Sequence, residues 1–400
     1  MESRGERVLL VGVCTSTRER WRAIDSLEEL AALSETARAV VVEKILQIRE
    51  RFEPATILGY GKILEIGDIC HRHRIDLLIF DLELSASQIR NIERLTDVRT
   101  IDRTTLILDI FAQHAHTREA KLQVELAQLE YRLPRLVGKG LELSRLGGGI
   151  GTRGPGEKKL EVDRRRIRRR ISTLKKALKK IEVDRTEQRK ERKMMFNISI
   201  VGYTNAGKSS LLNALTKSKV KVDDMLFSTL DPHTSVLYFS HQRKVLLTDT
   251  VGFIKHLPHS LIASFHATLE EVRQADLILH VIDISQEGWE ERIEAVKSVL
   301  TEIKADSTFQ LMVFNKCDRI FETNVIDRIK KQYPDAFFVS AKYGDGLKEL
   351  KEHLYSIAFS RPAKTLFIRK NQWGRLKEIY QHYEVLEIQE QGDRILIKVR

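Results

Sequence analysis

The sequence predicts a mixed α/β protein of four units, and three observations predict it. The first third alternates short apolar runs with helical patterns. The middle carries two helices with heptad-spaced apolar residues around a glycine-rich loop. Beyond them, a strand–glycine-loop–helix unit opens a second series of strands that end in polar residues. A chain of 400 residues exceeds what one ordinary core accommodates. The expected divisions are an N-terminal α/β domain over 1–115, a basic helical hairpin over 116–195, a nucleotide-binding domain over 196–360, and a small βαββ domain over 361–400.

In the first unit, Arg7 to Val13 reads as a strand and Ser26 to Ala37 as a helix capped by Asp25 or Ser26. Ala39 to Val42 opens the next strand. Lys62 to Arg72 and Ser85 to Leu95 read as helices, and Ile75 to Phe80 as a buried strand. Alternation of this kind argues for a parallel layer. No phosphate-loop pattern occurs here, and Gly59-Tyr60-Gly61-Lys62 reads as a turn.

The second unit differs in period and charge. Leu122, Leu126, Leu129 and Leu133 mark one helix, weakened at its end by Pro134. Leu160, Ile167, Leu174 and Ile181 mark another, with Ile171 and Leu178 between them. Eight glycines lie from Gly138 to Gly156, which suits the tip of an antiparallel hairpin. The chain carries +12 overall, and Lys158 to Lys193 holds 17 Lys/Arg against six Asp/Glu. Arg164 to Lys180 has ten basic residues and no acidic one. Solvated helix faces mix signs, so this run calls for phosphates as counter-charge, with nucleic acid first. Lys139, Arg145 and Arg153 add charge at the tip.

Composition narrows the class. With 42% apolar and 31% charged residues the chain is ordinary for a globular protein. No apolar run has the length of a membrane span, and Leu277 to Ile284 is broken by His280 and Asp283. The start shows no export signal, so the expected location is the cytoplasm. Cys14, Cys70 and Cys317 lack metal-ligand spacing, and their odd number argues against a disulfide framework.

The third unit carries the chemistry. Asn197 to Val201 is a strand, followed by Gly202-Tyr203-Thr204-Asn205-Ala206-Gly207-Lys208-Ser209 and the helical run Leu211 to Thr216. This is a phosphate-binding loop in its required setting. Backbone N–H groups would curl around a β-phosphate, Lys208 would reach the β/γ oxygens, and Ser209 would ligate Mg²⁺. Phe227-Ser228-Thr229-Leu230-Asp231 follows, where Thr229 would give Mg²⁺ a second hydroxyl. Asp249-Thr250-Val251-Gly252 ends the strand Val245 to Leu247; Asp249 would hold Mg²⁺ through water and the Gly252 N–H would bond a γ-phosphate. Asn315-Lys316-Cys317-Asp318 follows the strand Leu311 to Phe314. Its Asp318 suits the N1 and N2 donors of guanine, which adenine lacks, and Lys316 would cover the ring. Phe337 to Val339 leads to Ser340-Ala341-Lys342, whose backbone would meet guanine O6. Five elements in order specify GTP as substrate with Mg²⁺. Lys208, Thr229 and Gly252 are the expected catalytic groups.

Gly149-Ile150-Gly151-Thr152-Arg153-Gly154-Pro155-Gly156-Glu157, Phe227-Ser228-Thr229-Leu230-Asp231 and Asp249-Thr250-Val251-Gly252-Phe253-Ile254 carry a resemblance that covers nearly the whole chain. The sequence resembles the HflX family of translation-factor-related GTPases, and more distantly Obg and Era. The resemblance implies a P-loop GTPase domain flanked by an N-terminal α/β domain, a helical hairpin and a small C-terminal α+β domain. It implies Mg²⁺-dependent GTP hydrolysis coupled to the large ribosomal subunit, with splitting or rescue of stalled ribosomes. The hairpin tip would reach ribosomal RNA near the peptidyl-transferase region. In the family the N-terminal domain is also linked to ATP binding and RNA unwinding. A monomer is expected, with peripheral membrane association left open.

At the position after Gly252, where a Ras-like GTPase carries a water-positioning Gln, stands Phe253. Slow intrinsic hydrolysis is therefore expected, completed by the ribosome or by a K⁺ ion near Asn205. His256 and His259 read as packing or solvent-facing residues. Two alternatives stay open: a ribosome-assembly GTPase, and a GTP-gated RNA-binding module with negligible turnover. The C-terminal piece reads as a strand (Leu366 to Arg369), a helix (Gly374 to His382) and a hairpin (Tyr383 to Gln389, Ile395 to Val399), with Leu354 to Ser360 closing the GTPase domain.

Overall fold

A computed structural model describes residues 5–136, 155–192, 195–218, 225–227, 231–239, 243–255, 266–320, 323–359, 364–369, 379, 385–391 and 394–399. Four parallel strands open the chain: β1 (Arg7–Cys14), β2 (Val40–Ile48), β3 (Leu77–Phe80) and β4 (Arg99–Asp102), in the order β2-β1-β3-β4. Successive side chains of β1 serve opposite faces. Val8 and Leu10 pack with Leu27 and Leu30 of α1 (Arg20–Thr36) and with Leu106 and Ile110 of α4 (Arg103–His114). Leu9 and Val11 pack with Ile63 and Ile66 of α2 (Tyr60–His73) and with Ile92 of α3 (Ala86–Thr96). Both faces are covered, as the near-continuous apolar runs require.

Four details differ from the sequence expectation. Tyr60, Gly61 and Lys62, read as part of a turn, open α2 behind its N-cap Gly59. Helix α1 begins at Arg20, ahead of Asp25 and Ser26, which do not cap it. Asp25 instead receives the Lys255 ammonium at 2.7 Å, and the Ser26 hydroxyl accepts from Arg103 at 3.3 Å. Strand β2 continues to Ile48 because it lies at the sheet edge, where Glu43, Lys44 and Gln47 are tolerated. Strand β4 and helix α4, unmarked in the sequence reading, meet at Asp102, which caps the helix through Thr105 N–H at 2.9 Å.

The hairpin comprises α5 (Arg118–Arg135) and α6 (Pro155–Arg192). Pro134 sits in the last turn of α5, which continues through Arg135. Leu174 is buried on α6, and Val124, Leu126 and Ala127 are buried on α5. Ion pairs Arg170–Glu125 (2.6 Å) and Lys175–Glu130 (2.8 Å) join the two helices. The glycine-rich stretch from Gly138 to Gly154 lies outside the described residues.

The third unit is a six-stranded sheet in the order β10-β9-β8-β5-β7-β6. Its strands are β5 (Asn197–Gly202), β6 (His233–Tyr238), β7 (Lys244–Asp249), β8 (Leu277–Asp283), β9 (Gln310–Asn315) and β10 (Phe337–Phe338). All neighbours are parallel except β6 and β7. Helices α7 (Lys208–Thr216), α8 (His266–Arg273), α9 (Trp289–Glu302), α10 (Thr323–Gln332) and α11 (Leu347–Phe359) complete it. Helix α11 starts well before Leu354 because Leu350, Leu354 and Ala358 form one buried stripe at four-residue spacing. Strands β11 (Lys364–Arg369), β12 (Val385–Gln391) and β13 (Arg394–Val399) make an antiparallel sheet, order β11-β13-β12. Apart from Ile379, the expected helix from Gly374 to His382 lies outside the described residues.

One apolar cluster runs from the first sheet into the third unit. It takes Leu27, Leu30 and Phe111 together with Tyr203, Phe227, Val251, Phe253 and Ile254. No helix among the described residues is long and apolar enough to cross a membrane.

Candidate nucleotide site

The site is built where three parallel strands stop. β5 runs into the loop 202–207, β7 ends at Asp249, and β9 ends at Asn315. Gly207 has φ +90° and stands at the start of α7. A Cβ there would lie 2.2 Å from the Asn315 amide nitrogen, so only glycine lets the loop close over this strand end. Asn315 is the crosspiece. It donates to the Ala206 carbonyl at 2.9 Å and accepts from Ala341 N–H at 3.0 Å, joining the phosphate loop to the 340–342 loop.

Lys208 is buried, and its ammonium donates to the Tyr203 carbonyl at 2.9 Å. Burial lowers its pKa to about 8, with the Asp249 carboxylate opposing that fall. The ammonium is therefore underpartnered until an anion arrives. Ser209 donates to Asp249 at 2.5 Å, and both side chains are buried. A hydroxyl beside a carboxylate is a hard oxygen set that fits Mg²⁺. Thr204 has a buried hydroxyl without a partner among the described residues, one more donor for a ligand oxygen. Asn205 is exposed at the turn with φ +58°.

The expected switch residues divide. Ser228, Thr229 and Leu230 lie outside the described residues, as do His256 and His259. Phe227 is buried edge-on against the Phe111 ring, centroids 4.6 Å apart. Asp231 accepts from the Thr117 hydroxyl at 2.5 Å. Gly252 lies directly over the phosphate loop: a Cβ there would be 2.7 Å from Thr204 Cγ2 and 3.0 Å from Lys208 Nζ. Phe253 pairs with the loop through Thr204 N–H to its carbonyl (2.8 Å) and its own N–H to the Gly202 carbonyl (3.1 Å). Its ring is wholly buried. Val251 is buried, and the Thr250 hydroxyl donates to the Ile200 carbonyl at 2.7 Å, so both side chains serve the scaffold.

On the base side, Ser340 donates to the Asp318 carboxylate at 2.6 Å and fixes its direction. Lys316, with φ +63°, reaches Asp283 at 2.8 Å. The Lys342 ammonium lies 5.0 Å from the Tyr343 ring centroid. Burial, and then the Asp318 charge, raise the Cys317 thiol above its ordinary value, which keeps it protonated.

Several participants were not marked from sequence. Asp283 closes an apolar strand, a signal that was present. Glu29, Arg103 and Lys255 had none, because tertiary structure alone assembles them. Arg103 is buried and donates to Glu29, to Asp81 (2.6 Å) and to the Lys255 carbonyl (3.3 Å). Burial alone would lower its pKa, but Glu29 and Asp81 hold it above the ordinary value. Tyr203 donates to Glu29 and accepts from Lys255 N–H at 2.7 Å. A cavity of about 230 Å³ between α1 and the phosphate loop is lined by Asp25, Glu29, Thr204, Asn205, His280 and Arg292.

Known proteins resemble this chain in sequence along most of its length. Family models described as "GTP-binding GTPase N-terminal", "GTP-binding GTPase Middle Region" and "50S ribosome-binding GTPase" match residues 24–112, 114–192 and 197–316. The GTPase HflX of Alkalihalophilus pseudofirmus is 47% identical over 348 residues, covering 86% of this chain and 81% of that relative. The GTPase HflX of Escherichia coli K12 is 40% identical over 402 residues, covering 99% and 93%. The solved SsGBP–GDP complex aligns at TM-score 0.49 with 28% identity, covering 89% of this chain and 99% of that one. By its phosphate loop, its guanine-type loop and this span of relatedness, the chain is a GTPase and belongs to the HflX family.

Proposed function

We propose that this GTPase is a switch that acts on the large ribosomal subunit through its basic hairpin, splitting or rescuing stalled ribosomes. The charge of α6 carries the reading. Arg170 and Lys175 are paired with α5. Among the described residues, Arg166, Arg168, Arg169, Lys176, Lys179 and Lys180 have no acidic partner. Arg165, Arg169, Lys176 and Lys180 share one face at helical spacing, opposite the buried Leu174. That row extends over about 22 Å of helix. RNA phosphates supply the matching charge.

In the hydrolytic site, the loop 202–209 binds the GTP phosphates, Lys208 neutralises β/γ charge, and Asp318 orients guanine. Ser209 and Thr229 would hold Mg²⁺, with Asp249 acting through water, and the ion would supply further charge neutralisation at those phosphates. Phe253 offers no polar group for the attacking water, so turnover of the free protein is slow and the ribosome completes it. A K⁺ ion beside Asn205 is the second source of help, and exchange of K⁺ for Na⁺ tests it.

The deciding measurement is steady-state GTP hydrolysis in K⁺ buffer with Mg²⁺, with and without large subunits. Stimulation of about tenfold or more is expected. A slow rate unmoved by subunits, despite GTP binding, would transfer the assignment to a GTP-gated RNA-binding module.

A further inference from the structure

The segment Phe227 to Asp231 belongs to the GTPase domain by sequence, yet both of its described ends are held by the preceding units. Phe227 sits against Phe111 of α4. The neighbouring Leu226 N–H donates to the Thr36 hydroxyl of α1 at 3.3 Å. Asp231 accepts from Thr117 twice, at 2.5 Å from the hydroxyl and 3.3 Å from the backbone N–H. Thr117 is also the N-cap of α5, its hydroxyl accepting from Ala120 N–H at 3.1 Å. One hydroxyl thus closes the first turn of the hairpin and holds the end of the switch segment.

Helix α5 carries that contact onward. Glu125 and Glu130 on it grip Arg170 and Lys175 of α6. At its far end, Tyr131 and Arg135 bond to Asp102, which is fully buried. From Asp231 to the basic row, the junctions are the Thr117 hydrogen bonds at the N-terminus of α5 and the two α5–α6 ion pairs.

We infer that Thr117 and Asp231 are positioning residues for the GTPase reaction: their contact sets the switch segment according to the placement of α5, and sets α5 according to the nucleotide. This deepens the ribosome-coupled reading and rests on it for the identity of the partner. Coupling of this kind is reciprocal, so whatever RNA contact does to nucleotide preference, γ-phosphate does to RNA affinity by the same factor. Both oxygens of the Asp231 carboxylate accept from Thr117, which gives the last residue of the motif a mechanical role.

The test keeps the cap and changes only the contact. Thr117→Asp retains an N-cap oxygen but sets a carboxylate against Asp231. Thr117→Asn retains the cap and a donor. The pair Thr117→Asp with Asp231→Asn restores a donor–acceptor pair with the roles exchanged. Affinities of the full-length protein for GDP and for a non-hydrolysable GTP analogue are measured, then repeated with large subunits. Thr117→Asp is expected to change the analogue-to-GDP affinity ratio by about fivefold. Thr117→Asn and the double variant should return it to the parent value, with thermal unfolding of both close to that of the parent. An unchanged ratio in Thr117→Asp overturns the inference, as does an altered ratio that the double variant does not restore. Subunit affinity that ignores the nucleotide in the parent protein would overturn the ribosome reading instead; the ratio in the free protein still decides the role of Thr117 and Asp231.

Discussion

The Tyr203 hydroxyl donates to the Glu29 carboxylate, so the phosphate loop of the third unit is fastened to the first helix of the chain. The same carboxylate receives Arg103, and the same hydroxyl accepts from Lys255 just beyond Gly252. Burial first, and then Glu29, hold the Tyr203 hydroxyl well above its ordinary pKa, so it remains a donor at every working pH.

Removing the hub of that cluster should be costly. Arg103→Met takes the cation from Asp81 and from Glu29, which keeps only the Tyr203 hydroxyl, and the expected loss is about 3 kcal/mol in urea unfolding. Arg22→Ala breaks an exposed pair with Glu291 and should cost less than about 1 kcal/mol. Equal losses would remove the distinction between the two sites.

Nucleotide affinity should fall at alkaline pH. Free Lys208 titrates at about 8 because it is buried. Phosphate oxygens raise that value, so binding takes up a proton between the free and bound pKa values. Affinity is level below pH 8 and falls above it, by up to about tenfold per unit. Calorimetric GDP binding from pH 7 to 10 gives the slope, and a level profile would contradict the burial effect.

His280 should weaken the fold in acid. It is buried in β8, and burial, then Lys297 and Lys208, depress its pKa to about 3. The unfolded chain protonates near pH 6.5 while the folded chain does not. The contribution is complete above pH 6.5 and is lost as pH falls toward 3. Between pH 7 and pH 5 this amounts to about 2 kcal/mol. His280→Leu should lose that part of the acid dependence in urea titrations at the two pH values.

Asp318→Asn should reduce the preference for guanine. The carboxylate oriented by Ser340 becomes a neutral amide, and GDP affinity should fall by about tenfold or more relative to the parent. Competition between GDP and ADP reads the change; an unaltered GDP preference would place base selection elsewhere.

Charge removal on α6 should separate two faces. Arg169→Ala with Lys176→Ala removes exposed cations and should reduce the salt slope of RNA binding by about 1–2. Arg170→Ala should leave that slope nearly unchanged and loosen the hairpin, since its guanidinium belongs to Glu125.

Local grammar made much of this legible. The strand–loop–helix at 197–216, the strand ends at Asp249 and Asn315, and the alternation of the first unit follow from period, glycine placement and capping. Ser85 also acts as the expected helix start, with a capping box to Gln88. What sequence did not reveal depends on pairs far apart in the chain. Asp25 looked like a cap and is an ion-pair partner of Lys255, 230 residues away. Arg170 looked like its neighbours and, still exposed, pairs with Glu125 across the hairpin. Asp231 looked like a nucleotide-site residue and holds Thr117. Each of these side chains has a sound local reading, and its partner in the fold lies far along the chain.

The shared apolar cluster has a consequence for anyone who cuts the chain. Phe227, Val251, Phe253 and Ile254 are covered on one side by Leu27, Leu30 and Phe111. A GTPase half expressed without the first 115 residues would carry that greasy flank bare, beside the phosphate loop and Gly252. Its solubility would suffer, and any change in its turnover would report an unsupported active site as much as the lifting of a restraint.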